Sequence, residues 1–263
     1  MLRAGAFIVG VALLAALVGP VLSPFDPASQ ELALRLAAPS FAHPFGLDEL
    51  GRDILARVLA GARISFLVGV TVVSVSASLG TLLGAVAGYF GGRVDDVISR
   101  VIDVLLAFPG LLLAIALVAV LGPSLGNVLF ALSIIGWVGY ARLVRGQVLR
   151  AREFEYVQAA RALGASTTRI LWKHIIPTAV PAVVVQATLG MAGAIIGEAS
   201  LSCLGLGVQP PTPSWGTMLS GGRAHILDAP HLTLFPGIAI ALLVLGLTFL
   251  GDGLRDRIDP RSH

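Results

Sequence analysis

Charge is what this chain has least of. Asp, Glu, Lys and Arg supply 13% of its 263 residues against 56% hydrophobic residues, and the mean hydropathy is +0.89. A soluble globular surface cannot be built from that ratio, so the composition defines a membrane protein with one main domain. The sole lysine, Lys173, follows Trp172. That excludes the G-x-x-x-x-G-K-[ST] pattern, and with it any P-loop route to ATP hydrolysis by this chain. The sole cysteine, Cys203, excludes an intrachain disulfide and a multi-cysteine metal site, and its apolar neighbours suit a small buried hydrophobe. His43, His174, His225, His231 and His263 are scattered without H-E-x-x-H spacing, so no metal site is expected. The formal charge of +3 fits basic loops on the cytoplasmic side of a bilayer and is no argument for nucleic acid.

What is present is long apolar sequence. A helix crossing a bilayer needs about 20 apolar residues, and such windows lie near Ala4–Leu22, Ile64–Tyr89, Val104–Leu121, Val128–Ala141, Ile175–Gly197 and Leu232–Gly251. The expected fold is therefore an all-α polytopic membrane protein with six transmembrane helices. The run Gly122-Pro123-Ser124-Leu125-Gly126-Asn127 has turn chemistry and divides the third span from the fourth; the fourth is short and continues past Arg142. Ser74, Ser76, Ser78, Gly80, Gly84 and Gly88 offer a small-residue face, either for close helix packing or as the border of a solute pathway. Met1-Leu2-Arg3 precedes an apolar run longer than a signal-peptide h-region, and reads as a retained first helix.

Basic residues favour the cytoplasmic side. With the N-terminus inside, Arg3, Arg93, Arg100, Arg142, Arg145, Arg150, Arg152, Arg161, Arg169, Lys173, Arg255, Arg257 and Arg261 are internal, and Arg35, Arg52, Arg57, Arg63 and Arg223 are external. Both termini are then cytoplasmic. The expected division is residues 1–62 for the first span and an external amphipathic segment, 63–252 for five helices with a coupling loop at 153–177, and 253–263 for a tail. In Asp48–Gly61, Leu50, Ile54, Leu55, Val58 and Leu59 share one face while Arg52, Asp53 and Arg57 share the other. Such a segment suits the membrane surface or packing onto the bundle. Gly205–Gly216 has too much Pro and Gly for a helix and ends on Trp215, an aromatic suited to the interface. A structured external loop is expected there.

The one strongly charged block is EYVQAARALGASTTRILWKHIIP, Glu155–Pro177. Phe154, Val157, Ala160 and Leu163 recur at helical spacing, Gly164 suits a C-cap, Ser166 suits the N-cap of a second helix over Thr167–Ile176, and Pro177 marks the return to the membrane. This helix-turn-helix is either a docking element for another protein or a basic loop anchored at the lipid surface. Glu198 is the one ionisable residue deep in a span. A buried carboxylate needs a partner or an aqueous pathway, so it is a candidate pathway residue, with a structural hydrogen bond as the alternative.

The block resembles the EAA loop of binding-protein-dependent ABC importer permeases. Gln158-Ala159-Ala160, Gly164 and Ile176-Pro177 occupy the matching positions, with His174 where Ile is usual and Gln158 in place of Glu; Glu155 is a candidate acidic substitute. Beyond the loop, HPFGLDELGRDILARVLAGARIS (His43–Ser65), AGYFGGRVDD (Ala87–Asp96), LLAFPGLLLAIALVAVLGPS (Leu105–Ser124), GWVGYARLVRGQVL (Gly136–Leu149), SCLGLGVQPPTPSWGTML (Ser202–Leu219) and LGDGLRDRIDPR (Leu250–Arg261) are similar to the dipeptide, oligopeptide and nickel permease family, in the shorter of its paired subunits. The resemblance implies a type I importer fold, a homologous permease partner, two cytoplasmic ATPases that bind ATP and Mg, and an extracytoplasmic solute-binding protein. It implies ATPase coupling through Glu155, Gln158, Ala159, Ala160, Arg161, Gly164, Ala165, Ile176 and Pro177, and a binding-protein-facing loop carrying Gln209, Pro210, Pro211 and Trp215. No cofactor is implied for this chain. Short peptides are the largest substrate class implied, beside nickel chelates and haem-like compounds. The competing class, a secondary transporter or channel, more often carries several membrane carboxylates or inverted repeats.

Overall fold

A computed structural model gives the fold of residues 1–258; Arg261 and His263 fall outside the described residues. The elements are helical: α1 Leu2–Leu22, α2 Ile54–Phe90, α3 Gly92–Leu106, α4 Gly110–Leu121, α5 Leu125–Ala151, α6 Glu155–Ala162, α7 Thr167–Ile170, α8 Ile176–Cys203, α9 Trp215–Gly222 and α10 His231–Ile258. Five helices are long and apolar enough to cross a membrane, or six if α3 and α4 together make one span.

That third span is where the fold departs from the expected windows. Val104–Leu121 is not one straight helix, because α3 and α4 meet at an angle of 85°. Pro109 causes the break: it lacks an N–H to continue the helix and biases Phe108 away from helical geometry. The turn after α4 forms as expected. Ser124 caps α5 by accepting from Asn127 N at 3.1 Å, and the Asn127 side chain donates to Leu121 O at 3.0 Å and Gly122 O at 2.8 Å. Carbonyls at the end of α4 thus gain donors.

The closest helix pair is α2 with α5, and its cause is a four-residue repeat. Ser76 donates from Oγ to Ser133 O at 3.2 Å. Then a Cβ on Gly80 would fall 2.5 Å from Trp137 O, one on Gly84 2.4 Å from Ala141 O, and one on Gly88 2.9 Å from Arg145 O. Each step of four on α2 matches a step of four on α5, so the two helices run parallel with their backbones in direct contact. Ser74 and Ser78 are exposed and lie off this face. Ser76, Gly80, Gly84 and Gly88 are there for packing.

Of the two placements open to Asp48–Gly61, the structure has packing onto the bundle. Asp53 caps α2 by accepting from Ala56 N at 2.7 Å, and α2 then runs unbroken for 37 residues, about 55 Å, through the expected boundary at residues 62 and 63. Arg52, Asp53 and Arg57, expected on the outer face, are buried. Asp48 Oδ2 accepts from Arg52 Nε at 2.7 Å and lies 3.4 Å from Arg57 Nε, while His43 Nδ1 meets Asp53 Oδ2 at 2.9 Å. Mutual neutralisation lets this cluster replace a water-facing surface.

Residues at the N-terminal end of α1 and the C-terminal end of α10 pack together through glycine: a Cβ on Gly253 would fall 2.6 Å from Leu2. Arg255 of α10 and Arg150 of α5 line one cavity. The start of α1 and the end of α10 therefore lie at the end of the bundle that bears α6. The opposite end bears α9 and the 43–53 cluster.

Candidate functional site

Helix α8 connects the two segments to which the sequence points. At one end it continues from the charged block, at the other it leads into the Gly205–Ser214 loop, and between them its side borders cavities.

The charged block forms as a helix-turn-helix. Gly164 is at φ +80°, a backbone region open to glycine, and the turn closes with Ala165 N donating to Ala160 O at 3.0 Å and Gly164 N to Arg161 O at 3.0 Å. This is a Schellman-type stop. Ser166 accepts from Arg169 N at 3.4 Å and starts α7. The second helix does not end at Ile176: a π-helical turn over Leu171–Ile175 leads directly into α8. Pro177 supplies the reason. Without its N–H the carbonyl of Lys173 has no α-helical donor, and Ile176 N reaches back to Leu171 O instead.

Val157, Ile170, Leu171 and Ile175 bury against Ala85, Val144, Val148 and Ala151, joined by Phe154 and Ala165. The block is thus seated on the ends of α2 and α5. Arg161 lies over the Tyr89 ring at 5.7 Å, and Arg152 Nη1 donates to Gly88 O at 3.3 Å. Glu155, Gln158, Ala159 and Arg161 face outward, Ala160 is half-buried, and Ile176 and Pro177 open α8. Leu163 departs from the expected inward stripe. It is 88% exposed, and with Tyr156 and Trp172 gives the block an uncovered apolar surface. Gln158 donates from Nε2 to Glu153 O at 3.2 Å, a bond that a glutamate there could not make.

At its other end α8 holds the loop through Glu198. The carboxyl is fully buried; Ser202 Oγ donates to its Oε1 at 2.6 Å and accepts from Val208 N at 3.2 Å. Ser214 and Thr217 form a capping box that starts α9. Trp215 is not an outward interfacial aromatic: its ring is buried, and Nε1 donates to Val58 O at 2.9 Å, tying the loop to α2. Gln209, Pro210 and Pro211 make the exposed part, with Gln209 Nε2 donating to Gly205 O and Gly207 O at 3.2 and 3.0 Å.

Between these ends one cavity of about 370 Å³ is lined by Gly136, Gly190, Gly193, Gly197 and Ser200, together with Gly110 at the start of α4. A larger one of about 660 Å³ lies towards the α6 end, between α5, α8 and α10. Glu198 lines neither. Sequence reasoning missed these cavities, the π turn and the buried 43–53 cluster; of these only the π turn had a signal, in Pro177.

A helix-turn-helix seated at one end of a bundle, a structured loop at the other and one helix bordering cavities between them are the layout of a membrane transport subunit. The chain belongs to the family described as binding-protein-dependent transport system inner membrane component, whose model matches residues 80–263. The dipeptide transport system permease protein DppC of Alkalihalophilus pseudofirmus is 47% identical over 257 residues, covering 98% of this chain and 84% of that one. The glutathione transport system permease protein GsiD of Pectobacterium atrosepticum is 48% identical over 223 residues, covering 85% and 74%. The probable D,D-dipeptide transport system permease protein DdpC of Escherichia coli is 43% identical over 257 residues, covering 98% and 86%. The fold is similar to that of a chain in the inward-facing MetNI methionine ABC transporter, with a TM-score of 0.58 at 18% identity over 78% of this chain and 96% of that one. The type I importer fold and the family expected from the sequence are both borne out. This chain is the non-catalytic permease subunit of an ABC importer, a multi-pass membrane protein whose ATP is hydrolysed by other chains.

Proposed function

We propose that this chain forms half of the translocation pathway of a short-peptide importer, with a homologous permease as the other half, two cytoplasmic ATPases below and a solute-binding protein above. ATP and Mg belong to the ATPases in this reading. The observation that carries it is the continuity of α8, which runs from the π turn of the charged block to the Glu198–Ser202–Val208 junction with the loop. A displacement of one end is transmitted to the other by a rigid element. The apolar surface of Leu163, Tyr156 and Trp172, flanked by Glu155, Gln158 and Arg161, suits a groove in an ATPase. The loop of Gln209, Pro210 and Pro211 suits the binding protein.

Orientation follows from charge. Arg150, Arg152, Arg161, Arg169, Lys173, Arg255 and Arg257 cluster in segments at the α6 end, which favours that end, and both termini with it, in the cytoplasm. Short peptides are favoured as cargo because the relatives are described as transporting dipeptides, D,D-dipeptides and glutathione.

The experiment is purification of the chain from its native membrane in mild detergent, with intact-complex mass and ATPase activity measured on one sample. Recovery with a second permease and two ATPases is the expected result. A homo-oligomer without ATPase activity would reject the assembly and favour a secondary transporter.

A further inference from the structure

We propose that the cavity at the α6 end of α8 is an anion-accepting subsite on the release side of the pathway, built to hold the carboxylate of an amide-bearing solute before it leaves. Its charge is one-signed among the described residues: Arg150 comes from α5 and Arg255 from α10, and no described carboxylate lines it. Two guanidinium groups lining one space repel each other, and an anion between them offsets that cost. The planar fork of arginine matches a carboxylate through paired N–H donors.

The remaining polar lining is arranged in depth. Gln186 lies eight residues beyond Thr178 along α8, about 12 Å, and Gln147 lies nearly one turn before Arg150 on α5. Along their helices the glutamines are thus anchored further from the α6 end than the arginines, and neither glutamine side chain is hydrogen-bonded among the described residues. Each amide offers both donor and acceptor, which suits peptide groups. Val185 and Leu189 supply an apolar wall. At about 660 Å³ the space is within the range of small-ligand pockets.

The same charge would attract a phosphate headgroup from the inner leaflet, a second source of anionic oxygen. The amide-lined depth favours the solute, because acyl chains have no use for hydrogen-bonding walls. This inference rests on the permease reading given above and names one station within it.

The test uses the complete complex, without binding protein, in nanodiscs of phosphatidylcholine alone or with added phosphatidylglycerol. Radiolabelled dialanine and its C-terminal amide are the probes, read by equilibrium dialysis. Dialanine is expected to bind at least about tenfold more tightly than the amide, and Arg150→Gln with Arg255→Gln is expected to erase that preference. Should the double variant fail to assemble, Arg255→Gln alone, at an exposed helix end, is expected to reduce the preference measurably. Gln186→Ala is expected to weaken both probes alike. Equal binding of acid and amide, no dialanine binding by an assembled complex, or a preference indifferent to both arginines would each overturn the proposal. Loss of dialanine binding on adding phosphatidylglycerol would assign the site to lipid and overturn it too. Intact mass and ATPase activity on the same preparation test the permease reading separately; absence of the ATPases would overturn that reading and this one with it.

Discussion

Arg63 of α2 donates from Nε to the carbonyl oxygen of Ala16 in α1 at 2.7 Å, and from Nη2 to Leu17 O at 3.0 Å. The cause lies four residues beyond Ala16, at position 20. A proline there has no N–H, so the carbonyl at position 16 has no donor within its own helix. In an apolar setting such a group is costly to leave unpaired. Arg63 supplies the missing donor from a neighbouring helix, and in doing so fixes α1 against α2.

Removing that donor should loosen α1. Arg63→Leu is expected to cost about 1–3 kcal/mol, measured as reduced thermal stability in detergent and faster proteolysis between α1 and α2. Pro20→Ala restores the backbone N–H. Combining it with Arg63→Leu should therefore recover part of the loss, whereas purely additive effects would show that the arginine acts elsewhere.

The α2–α5 contact yields a second prediction. A methyl group on Gly84 would sit 2.4 Å from Ala141 O, a backbone atom unable to rotate away. Gly84→Ala is expected to destabilise by about 1–3 kcal/mol through forced separation of the two helices. Gly10 in α1 has nothing within 4 Å of such a position, so Gly10→Ala is the control and should change stability by less than about 0.5 kcal/mol. Thermal unfolding followed by aggregation assay compares them directly.

The difference between these glycines shows where sequence stops being informative. The repeat at Gly80, Gly84 and Gly88 is visible in the sequence, but whether it lines a pathway or a helix contact depends on what lies opposite, and only the fold supplies Trp137, Ala141 and Arg145. Long apolar runs gave the spans because burial in lipid needs length and composition alone. Helix-cap chemistry placed Gly164 and Ser166 correctly because caps are local. Arg52 and Arg57 misled because charge implies water unless its partner and burial are known, and the shared partner, Asp48, is brought to both by the turn before α2. Trp215 misled likewise, since Val58, which receives its N–H, lies far away in sequence. Cavities lie between helices and have no linear signature.

Ser202 joins α8 to the loop, and its loss has two consequences. It donates to Glu198 and accepts from Val208 N, so Ser202→Ala leaves two buried polar groups without that partner. The expected cost is about 2–3 kcal/mol. Hydrogen exchange should rise over Gly205–Ser214 and stay unchanged over Glu155–Gly164 at the far end; a rise at both ends alike would indicate global unfolding rather than a local junction.

Gly164 gives the sharpest separation of stability from coupling. Its φ of +80° is accessible to glycine and strained for a β-branched residue, by about 1–3 kcal/mol. Gly164→Val must therefore either retain the strained turn or shift the backbone and break the Ala165 N to Ala160 O bond. Breaking the bond is the easier course, because the turn is exposed and the helix it ends is only eight residues long. The buried anchor at Val157, Ile170 and Ile175 lies outside the turn, so the variant should still insert and fold. What changes is the direction in which Leu163, 88% exposed, is presented. If the block docks on an ATPase, Gly164→Val should lower solute-stimulated ATPase activity at least about tenfold, the equivalent of about 1.4 kcal/mol of lost coupling. Gln158→Glu loses only an exposed bond to Glu153 O, about 0.5–1 kcal/mol, and should keep uptake within about twofold. Equal behaviour of the two variants would mean that the orientation of the block does not matter, which a docking element does not permit.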